Sequence, residues 1–319
     1  MTGERRRRAR DLALMLCIGG FGALTLIPFA FALNNSFRAN YEMDHAFFGF
    51  PENFKGLARA TVAAMSGSDT VFRVETDAGD LIEASGWGAV GRYWHAATKG
   101  YRVSWGTLRP YMINTFFVCG ATTLGVVALG SISAYILSRY RFYGSRIIFY
   151  FIIGTMMFPA ALTLVPSFMV VRSLGLLNTY GAMVLPYIAG GQVFATFVFK
   201  GFFDGLPEEL FESARIDGAG HFRIYIDIVL PLSKPVLSVV AIMTILGTWN
   251  NFLWPFIVNT DGRYHVIASG LYVLATTNFA QNYSSLFAAY MTASIPLLLL
   301  FTYATKPFVQ GVTSGAFKA

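Results

Sequence analysis

The hydrophobic residues of this 319-residue chain are concentrated in long runs that polar segments separate. Six runs have about the 20 apolar residues that a helix needs to cross the roughly 30 Å hydrocarbon layer of a bilayer. They cover residues 11–33, 112–137, 147–171, 181–203, 236–258 and 286–305. The sequence lacks the alternating strands of a membrane barrel, and only helices and closed barrels satisfy their backbone groups in lipid. The pattern therefore predicts an all-α polytopic membrane protein with six transmembrane helices.

The segment of residues 34–111 is longer than the other polar segments and has its own pattern. Residues 70–83 alternate apolar and polar side chains about an Asp77-Ala78-Gly79-Asp80 turn, which predicts a β-hairpin. We interpret residues 34–111 as an extracytoplasmic loop that carries a small folded insertion at 56–86. The hairpin either docks a binding protein or only stabilises the long loop, and the sequence leaves both open.

Composition and charge agree with a membrane protein. Hydrophobic residues make up 55% of the chain and charged residues only 13%, against roughly 25% charged residues in soluble domains. The net charge of +7 arises from basic residues beside the apolar runs. Because these residues form no stripe with aromatic side chains, we expect no nucleic acid partner. Cys17 and Cys119 each lie inside an apolar run, so no disulfide or metal site is predicted.

The basic residues also predict the orientation of the chain. Among the short segments, they are concentrated in the tail of residues 1–10, the loops after the second and fourth runs, and the tail of residues 306–319. The long segment of residues 34–111 does not report orientation, because long segments cross the membrane regardless of charge. Lys and Arg accumulate in the cytoplasmic loops of membrane proteins. We therefore expect both termini in the cytoplasm and a multi-pass protein of the cell (inner or plasma) membrane, surrounded by lipid.

The first apolar run permits two interpretations. Ala30-Phe31-Ala32 follows an Arg-rich start, as at the cleavage site of a signal peptide. The run is longer than the roughly 7–15 apolar residues of a signal peptide, so we expect it to be retained as a membrane anchor.

The loop of residues 204–235 holds the most informative local pattern. Pro207 suits the first turn of a helix, and Glu208 and Glu209 complement the positive end of its dipole. Leu210, Phe211 and Ala214 share one face, and Gly218 is placed to end the helix. The pattern predicts a short amphipathic helix at 207–218, followed by a second short segment with a proline stop at Pro231. Because the polar face is acidic, a soluble protein partner fits this helix better than an anionic lipid surface.

The spacing within this loop resembles the EAA loop of permease subunits of ATP-binding-cassette (ABC) importers. Ser213 replaces one alanine of the three-letter core. The candidate ATPase-coupling residues are Leu210, Phe211, Glu212, Ser213, Ala214, Asp217, Gly218, Ala219, Ile228, Leu230 and Pro231.

Three further stretches are similar to the carbohydrate branch, the maltose-type permeases. They are residues 173–188, 247–255 and 309–316. The resemblance covers most of residues 11–319 but not the insertion at 56–86. It implies a type I ABC importer transmembrane domain with a permease core at 112–305, which imports an oligosaccharide, a disaccharide or a polyol. An alternative cargo is a non-sugar solute such as glycerol phosphate.

The resemblance also implies a set of partners. They are a second homologous permease in a heterodimer, two ABC ATPase subunits and an extracytoplasmic solute-binding protein. The chain has no phosphate-binding loop of the G-x-x-x-x-G-K-[ST] type. We therefore expect a non-catalytic subunit without a cofactor, whose energy comes from the separate ATPase.

Two further groups of residues are weaker candidates. Gln192, Trp249, Asn250 and Asn251 are polar or amphipathic positions within predicted spans, and they either line the solute path or bond neighbouring helices. Gln310, Gly311, Ser314 and Gly315 lie in a tail that, by resemblance, contacts the ATPase. An unstructured tail is the alternative.

Two other classes of function fit the sequence less well. A secondary transporter acting alone is expected to carry ionisable residues within its spans or an inverted repeat, and neither is evident. A membrane-embedded enzyme is disfavoured because the four histidines lie in different loops without a metal-binding spacing.

Overall fold

The computed structural model describes residues 2–45, 48–75, 80–277 and 282–316. The chain divides into two compact units. The first comprises residues 1–108 and 271–294, and the second comprises residues 109–270 and 295–319. Three helices, α5, α14 and α15, begin in one unit and end in the other.

The first unit contains the amino-terminal helix and a small mixed module. Its elements are α1 (Thr2–Asn35), α2 (Asn40–His45), α3 (Glu52–Met65), β1 (Val71–Glu75), β2 (Leu81–Ser85) and α4 (Gly86–Ala97). Helix α5 (Lys99–Arg139) follows and continues into the second unit.

The remaining helices include several short ones, and all except α14 and α15 lie wholly within the second unit. They are α6 (Ser145–Thr155), α7 (Ala160–Ser173), α8 (Gly181–Asp204), α9 (Glu209–Ile216), α10 (His221–Ile224), a π-helical turn (Tyr225–Val229), α11 (Leu230–Leu232), α12 (Lys234–Trp249), α13 (Leu253–Val258), a 3-10 turn (Gly262–Tyr264), α14 (Ile267–Thr276) and α15 (Tyr283–Ala316).

The predicted β-hairpin is confirmed. Strands β1 and β2 pair antiparallel, with Val71 opposite Ser85 and Val74 opposite Ile82, and Val74 is buried as the alternating pattern requires. Helix α4 packs on both strands and on α3. At the contact between α3 and α4, a Cβ on Gly56 would lie 2.3 Å from the Tyr93 ring, so a larger residue there would displace that ring. Residues 77–79 of the predicted turn lie outside the described residues.

The membrane spans agree with the predicted number when bent helices are counted as single spans. Four described helices are long and apolar enough to cross a bilayer, with bounds Arg10–Asn35, Lys99–Arg139, Gly181–Asp204 and Tyr283–Ala304. Two further pairs of helices pass the same test but are bent. Helices α6 and α7 meet at 100°, and the segment His221–Leu232 meets α12 at 77°. Counting each pair as one span gives up to six, but the second pair covers residues 221–249, whereas the sequence predicted the fifth span at 236–258.

Three predicted boundaries differ from the structure. Helix α5 begins at Lys99, not at residue 112, because its polar first turns, which include Arg102 and Arg109, are helical but not hydrophobic. The fifth predicted span is interrupted between α12 and α13. The predicted tail at 306–319 is helical up to Ala316.

Helices α5 and α8 approach each other closely in the second unit. A Cβ on Gly130 of α5 would lie 2.6 Å from the Cβ of Ala195 in α8, and a Cβ on Gly191 of α8 would lie 2.8 Å from Val126. Small residues at such contacts let two helix backbones come together in a membrane protein. The packed helices end beside α9, and residues from all three share one buried cluster.

Candidate coupling site

The predicted amphipathic helix exists as α9, which is shorter than the sequence suggested. Pro207 precedes α9, which has Glu208 as its amino-terminal cap. At the other end, the Gly218 amide donates to the Arg215 carbonyl, and the Ala219 amide donates to the Ala214 carbonyl. This pair of bonds is a Schellman motif, which requires a left-handed residue after the helix. Gly218 has φ +77°, so it ends α9 as predicted.

The apolar face of α9 points into the chain itself. Phe211 and Ala214 are buried in the cluster that α5 and α8 line, and Phe211 is only 1% exposed. Phe211 and Ala214, two of the candidate ATPase-coupling residues, therefore contact their own chain, and their role in coupling stays a prediction. An amphipathic pattern identifies a buried face, but it does not say which protein buries it.

The opposite face of α9 and the start of the next segment are exposed. Ile216 is 86% exposed and Phe222 is 76% exposed, although both are large and apolar. Leu210, Glu212 and Ser213 are also exposed. We call the surface of Leu210, Glu212, Ser213, Ile216 and Phe222 the coupling surface.

The remaining predicted coupling residues lie in the segment that follows α9. Ala219, Ile228 and Leu230 are half-buried against the same cluster, whereas Asp217 and Pro231 are exposed. The helical segment ends at Leu232, one residue after Pro231, so the predicted proline stop has the right place. A π-helical turn at Tyr225–Val229 precedes it.

Tyrosine side chains attach this segment to α5. The Tyr135 hydroxyl donates to the carbonyl of His221 at 3.2 Å, and the Ser131 and Tyr225 hydroxyls are 2.7 Å apart. The ring of Tyr140 lies 4.4 Å from the ring of His221. These contacts hold residues 221–225 against the end of α5.

Arg139, the last residue of α5, contacts both α8 and α9. Its guanidinium donates to the carbonyls of Phe203 and Leu206 and bonds Glu208 at 2.6 Å. It also lies 3.8 Å from the centroid of the Phe211 ring. The Arg139 side chain is 8% exposed. In the sequence, Arg139 indicates only the orientation of the chain, because no local pattern around it predicts contacts with residues 64 to 72 positions later.

The candidate solute-path residues are engaged in local contacts. The Asn250 side chain donates to the Leu246 carbonyl, and the Asn251 side chain accepts from the Trp254 amide. Trp249 is buried with its ring 5.5 Å from that of Phe116, and Gln192 is half-buried in α8. The two asparagines mark the break between α12 and α13. A role of these four residues in the solute path stays a prediction.

The candidate tail residues lie in the last turns of α15. Gln310, Gly311, Ser314 and Gly315 have a helical backbone, in place of an unstructured tail. Their contact with an ATPase stays a prediction.

The first unit holds a separate polar cavity of about 620 Å³. Lys55, Arg59 and Arg73 line it together with Glu52 and Glu75. Tyr41 also lines the cavity, and burial together with nearby glutamates raises the pKa of its hydroxyl to about 12. The tyrosine therefore stays protonated at neutral pH.

Comparison with known proteins gives the same architecture. The backbone resembles a crystal structure of a bacterial ABC transporter involved in the import of the acidic polysaccharide alginate. The TM-score is 0.69 over 95% of this chain and 97% of that chain, at 18% sequence identity. This likeness concerns the fold.

Closer relatives are found by sequence. The chain is 34% identical to the diacetylchitobiose uptake system permease protein NgcG of Streptomyces coelicolor, over 70% of this chain and 75% of the relative. It is 33% identical to the sn-glycerol-3-phosphate transport system permease protein UgpE of Yersinia pestis, over 71% of this chain and 79% of the relative.

The sequence model of one protein family matches residues 126–313, which include α8, α9 and the whole coupling surface. Over half of the chain lies within this match. The chain therefore belongs to the family of binding-protein-dependent transport system inner membrane components, the permease subunits of ABC importers.

Proposed function

We propose that this permease imports a sugar and is driven through the coupling surface by a separate ATPase. The observation that carries the proposal is the exposure of Ile216 and Phe222 beside Glu212, outside the long apolar helices. Large apolar side chains at the centre of a polar rim are typical of a protein interface. The buried face of α9 packs against its own bundle, so a partner that binds the coupling surface acts on a helix in direct contact with the spans.

The proposed assembly has four kinds of component. A second homologous permease completes the translocation pathway, two ATPase subunits bind the coupling surfaces, and an extracytoplasmic protein delivers the solute. The amino-terminal end of α1 and the carboxy-terminal end of α15 lie in the cytoplasm in this arrangement, together with α9.

A sugar or polyol is the favoured cargo. The central parts of the spans contain no Asp, Glu, Lys or Arg, which suits an uncharged solute because membrane-buried charges need partners. Similarity to a diacetylchitobiose permease supports this cargo class. Glycerol phosphate remains a second candidate because a glycerol-3-phosphate permease is 33% identical. Uptake of labelled diacetylchitobiose and of labelled sn-glycerol 3-phosphate, measured side by side, separates the two.

Replacement of exposed apolar residues tests the coupling surface. We expect Ile216→Glu and Phe222→Glu each to reduce co-purification of the ATPase and solute uptake by about tenfold or more, since central interface residues carry most binding energy. Val62→Glu is the matched control, because Val62 is 68% exposed on α3 in the first unit. The control should leave co-purification and uptake unchanged. Normal uptake by both coupling-surface variants would contradict the proposal.

A further inference from the structure

Arg139 joins three elements at one guanidinium group. Two of its acceptors are the carbonyl of Phe203, in the last turn of α8, and the carbonyl of Leu206, two residues beyond the end of α8; carbonyls at this end of a helix carry partial negative charge. A third acceptor is the carboxylate of Glu208, the residue at the amino-terminal cap position of α9. The Phe211 ring covers the face of the guanidinium. Arg139, itself the last residue of α5, therefore contacts the last turn of α8, the residues between α8 and α9, and the Phe211 ring of α9.

The surrounding contacts show why the Arg139 contact differs from an ordinary surface ion pair. Arg215 also approaches Glu208, at 3.6 Å, but its side chain is 44% exposed. The Arg139 side chain is 8% exposed, so water competes little for its bonds to the Phe203 and Leu206 carbonyls, whereas the Glu208 carboxylate, 52% exposed, remains accessible to water. Exposed pairs contribute little, whereas removing one partner of a buried charge leaves the other groups unsatisfied.

Helix α9 is a short element that depends on such contacts for its position. It spans Glu209–Ile216, about two turns, and isolated helices of this length are unstable in water. Its packing on the bundle uses Phe211 and Ala214, and apolar packing alone permits sliding more readily than directed hydrogen bonds do. The directed bonds of Arg139 fix the start of α9 relative to the end of α5.

We propose that Arg139 is the positioning residue that makes α9 and the end of α5 move as one body. This inference rests on the proposed function, in which the ATPase acts on the coupling surface. A displacement of α9 is then transmitted through Arg139 to a membrane span. Without the guanidinium, α9 moves with the ATPase but α5 does not move with α9, so ATP is hydrolysed without solute import.

The planar fork of arginine suits this role and an ammonium group does not. Arginine presents five donors in fixed directions, so it satisfies two carbonyls and a carboxylate while stacking on a ring. Lysine retains the charge but not this geometry. We therefore expect Arg139→Lys to give a ratio of ATP hydrolysed to solute imported between those of Arg139→Gln and the unaltered chain.

The ratio of ATP hydrolysed to solute imported provides the test. The complete complex, with both permeases, the ATPase and the binding protein, is reconstituted in proteoliposomes with labelled diacetylchitobiose and, in parallel, labelled sn-glycerol 3-phosphate. For the substrate that is imported, we expect Arg139→Gln to raise the ratio by about fivefold or more, as a buried charge contact is lost. Arg141→Gln, which changes an exposed arginine two residues away, should leave the ratio unchanged.

A distance measurement separates positioning from simple loss of stability. Spin labels at Glu209→Cys on α9, outside the coupling surface, and Ile136→Cys on α5 report their separation with and without ATP, in a chain that lacks Cys17 and Cys119. Both labelled positions are exposed. The unaltered chain should keep one narrow distance, whereas Arg139→Gln should broaden it on ATP binding. If Arg139→Gln does not assemble, Glu208→Gln is used instead and should raise the ratio about twofold.

The outcomes distinguish this proposal from the proposed function. An unchanged ratio and an unchanged distance in the arginine variant, or hydrolysis and uptake falling in equal proportion, would overturn the role of Arg139. If Ile216→Glu nevertheless abolishes uptake, the proposed role of the coupling surface is still supported. If Ile216→Glu leaves uptake normal, the proposed function fails whatever Arg139 does.

Discussion

At the scale of single residues, neighbouring positions of the EAA-like segment have opposite environments. Phe211 and Ala214 are buried in the bundle, while Glu212 and Ser213 between them face outward. A helix of 3.6 residues per turn places such neighbours on opposite sides. We therefore propose two tasks for the segment, anchoring by the buried pair and contact with a partner by the exposed pair. A substitution in one pair is expected to affect a different property from a substitution in the other.

The left-handed conformation of Gly218 leads to a prediction about backbone strain. A Cβ at this position would meet no atom within 4 Å, so space is not limiting, but φ is +77°. We expect Gly218→Val to destabilise the end of α9 by about 1–2 kcal/mol, because the left-handed region is unfavourable for most residues. Uptake should fall, since the path from α9 to α10 changes.

Two control substitutions accompany the Gly218 variant. Gly218→Asn should retain most uptake, because asparagine tolerates this conformation. Gly220→Ala should also be tolerated, because Gly220 has φ −70° and open space around it. Uptake and thermal stability in detergent would be measured for all three. Equal values for Gly218→Val and Gly218→Asn would exclude backbone strain as the cause.

At the scale of secondary-structure elements, local sequence patterns predicted the elements whose bounds depend on neighbouring residues. The hairpin, the end of α9 at Gly218 and the extent of α8 follow from side-chain alternation, a glycine signal and hydrophobicity. The polar start of α5 and the 100° bend between α6 and α7 were missed. Hydrophobicity marks where a helix can meet lipid, but it does not mark where a helix begins or how sharply proline lets it turn.

The close approach of α5 and α8 yields a prediction at this scale. Gly130→Val places a side chain where Ala195 already lies within 2.6 Å of a Cβ. We expect a loss of about 1–3 kcal/mol in stability, as is typical of overpacking, and a lower yield of folded permease. Gly120→Val is the matched control, because it makes the same change in the same helix with no atom within 4 Å. Thermal unfolding of the purified chains in detergent measures both.

The two glycine variants separate packing from helix propensity. Both replace a glycine by a β-branched residue within α5, so the intrinsic effect on the helix is shared. A greater loss at Gly130 isolates the contact with α8. Equal melting temperatures for the two variants would mean that α5 and α8 separate readily, which would contradict the tight packing.

At the scale of the whole molecule, the site depends on contacts that no local pattern reveals. Arg139 bonds residues 64 to 69 positions later in the chain, at Phe203, Leu206 and Glu208. The sequence identified the coupling segment through its resemblance to a family, and it identified Arg139 only as a basic residue of a loop. The exposed residues Ile216 and Phe222 were missed for a related reason, since exposure of an apolar side chain is decided by the fold.

The orientation of the chain is the whole-molecule property on which coupling depends. An ATPase reaches α9 only if α9 lies on the side of the membrane that contains ATP, and the bias of Lys and Arg predicts that side. Cysteines placed in the two units report it directly. Ser213→Cys lies on α9, and Ser68→Cys lies between α3 and β1, where the side chain is exposed.

We expect an impermeant maleimide added to intact cells to modify Ser68→Cys and not Ser213→Cys, with both modified after the membrane is opened. The parent chain carries Cys17→Ser and Cys119→Ala, so that labelling reports only the introduced thiol. The parent should remain unlabelled in both conditions. Modification of Ser213→Cys in intact cells would mean that α9 lies on the side of the membrane that contains no ATP. A cytoplasmic ATPase could then not bind Ile216, and no movement of the ATPase could be transmitted through Arg139.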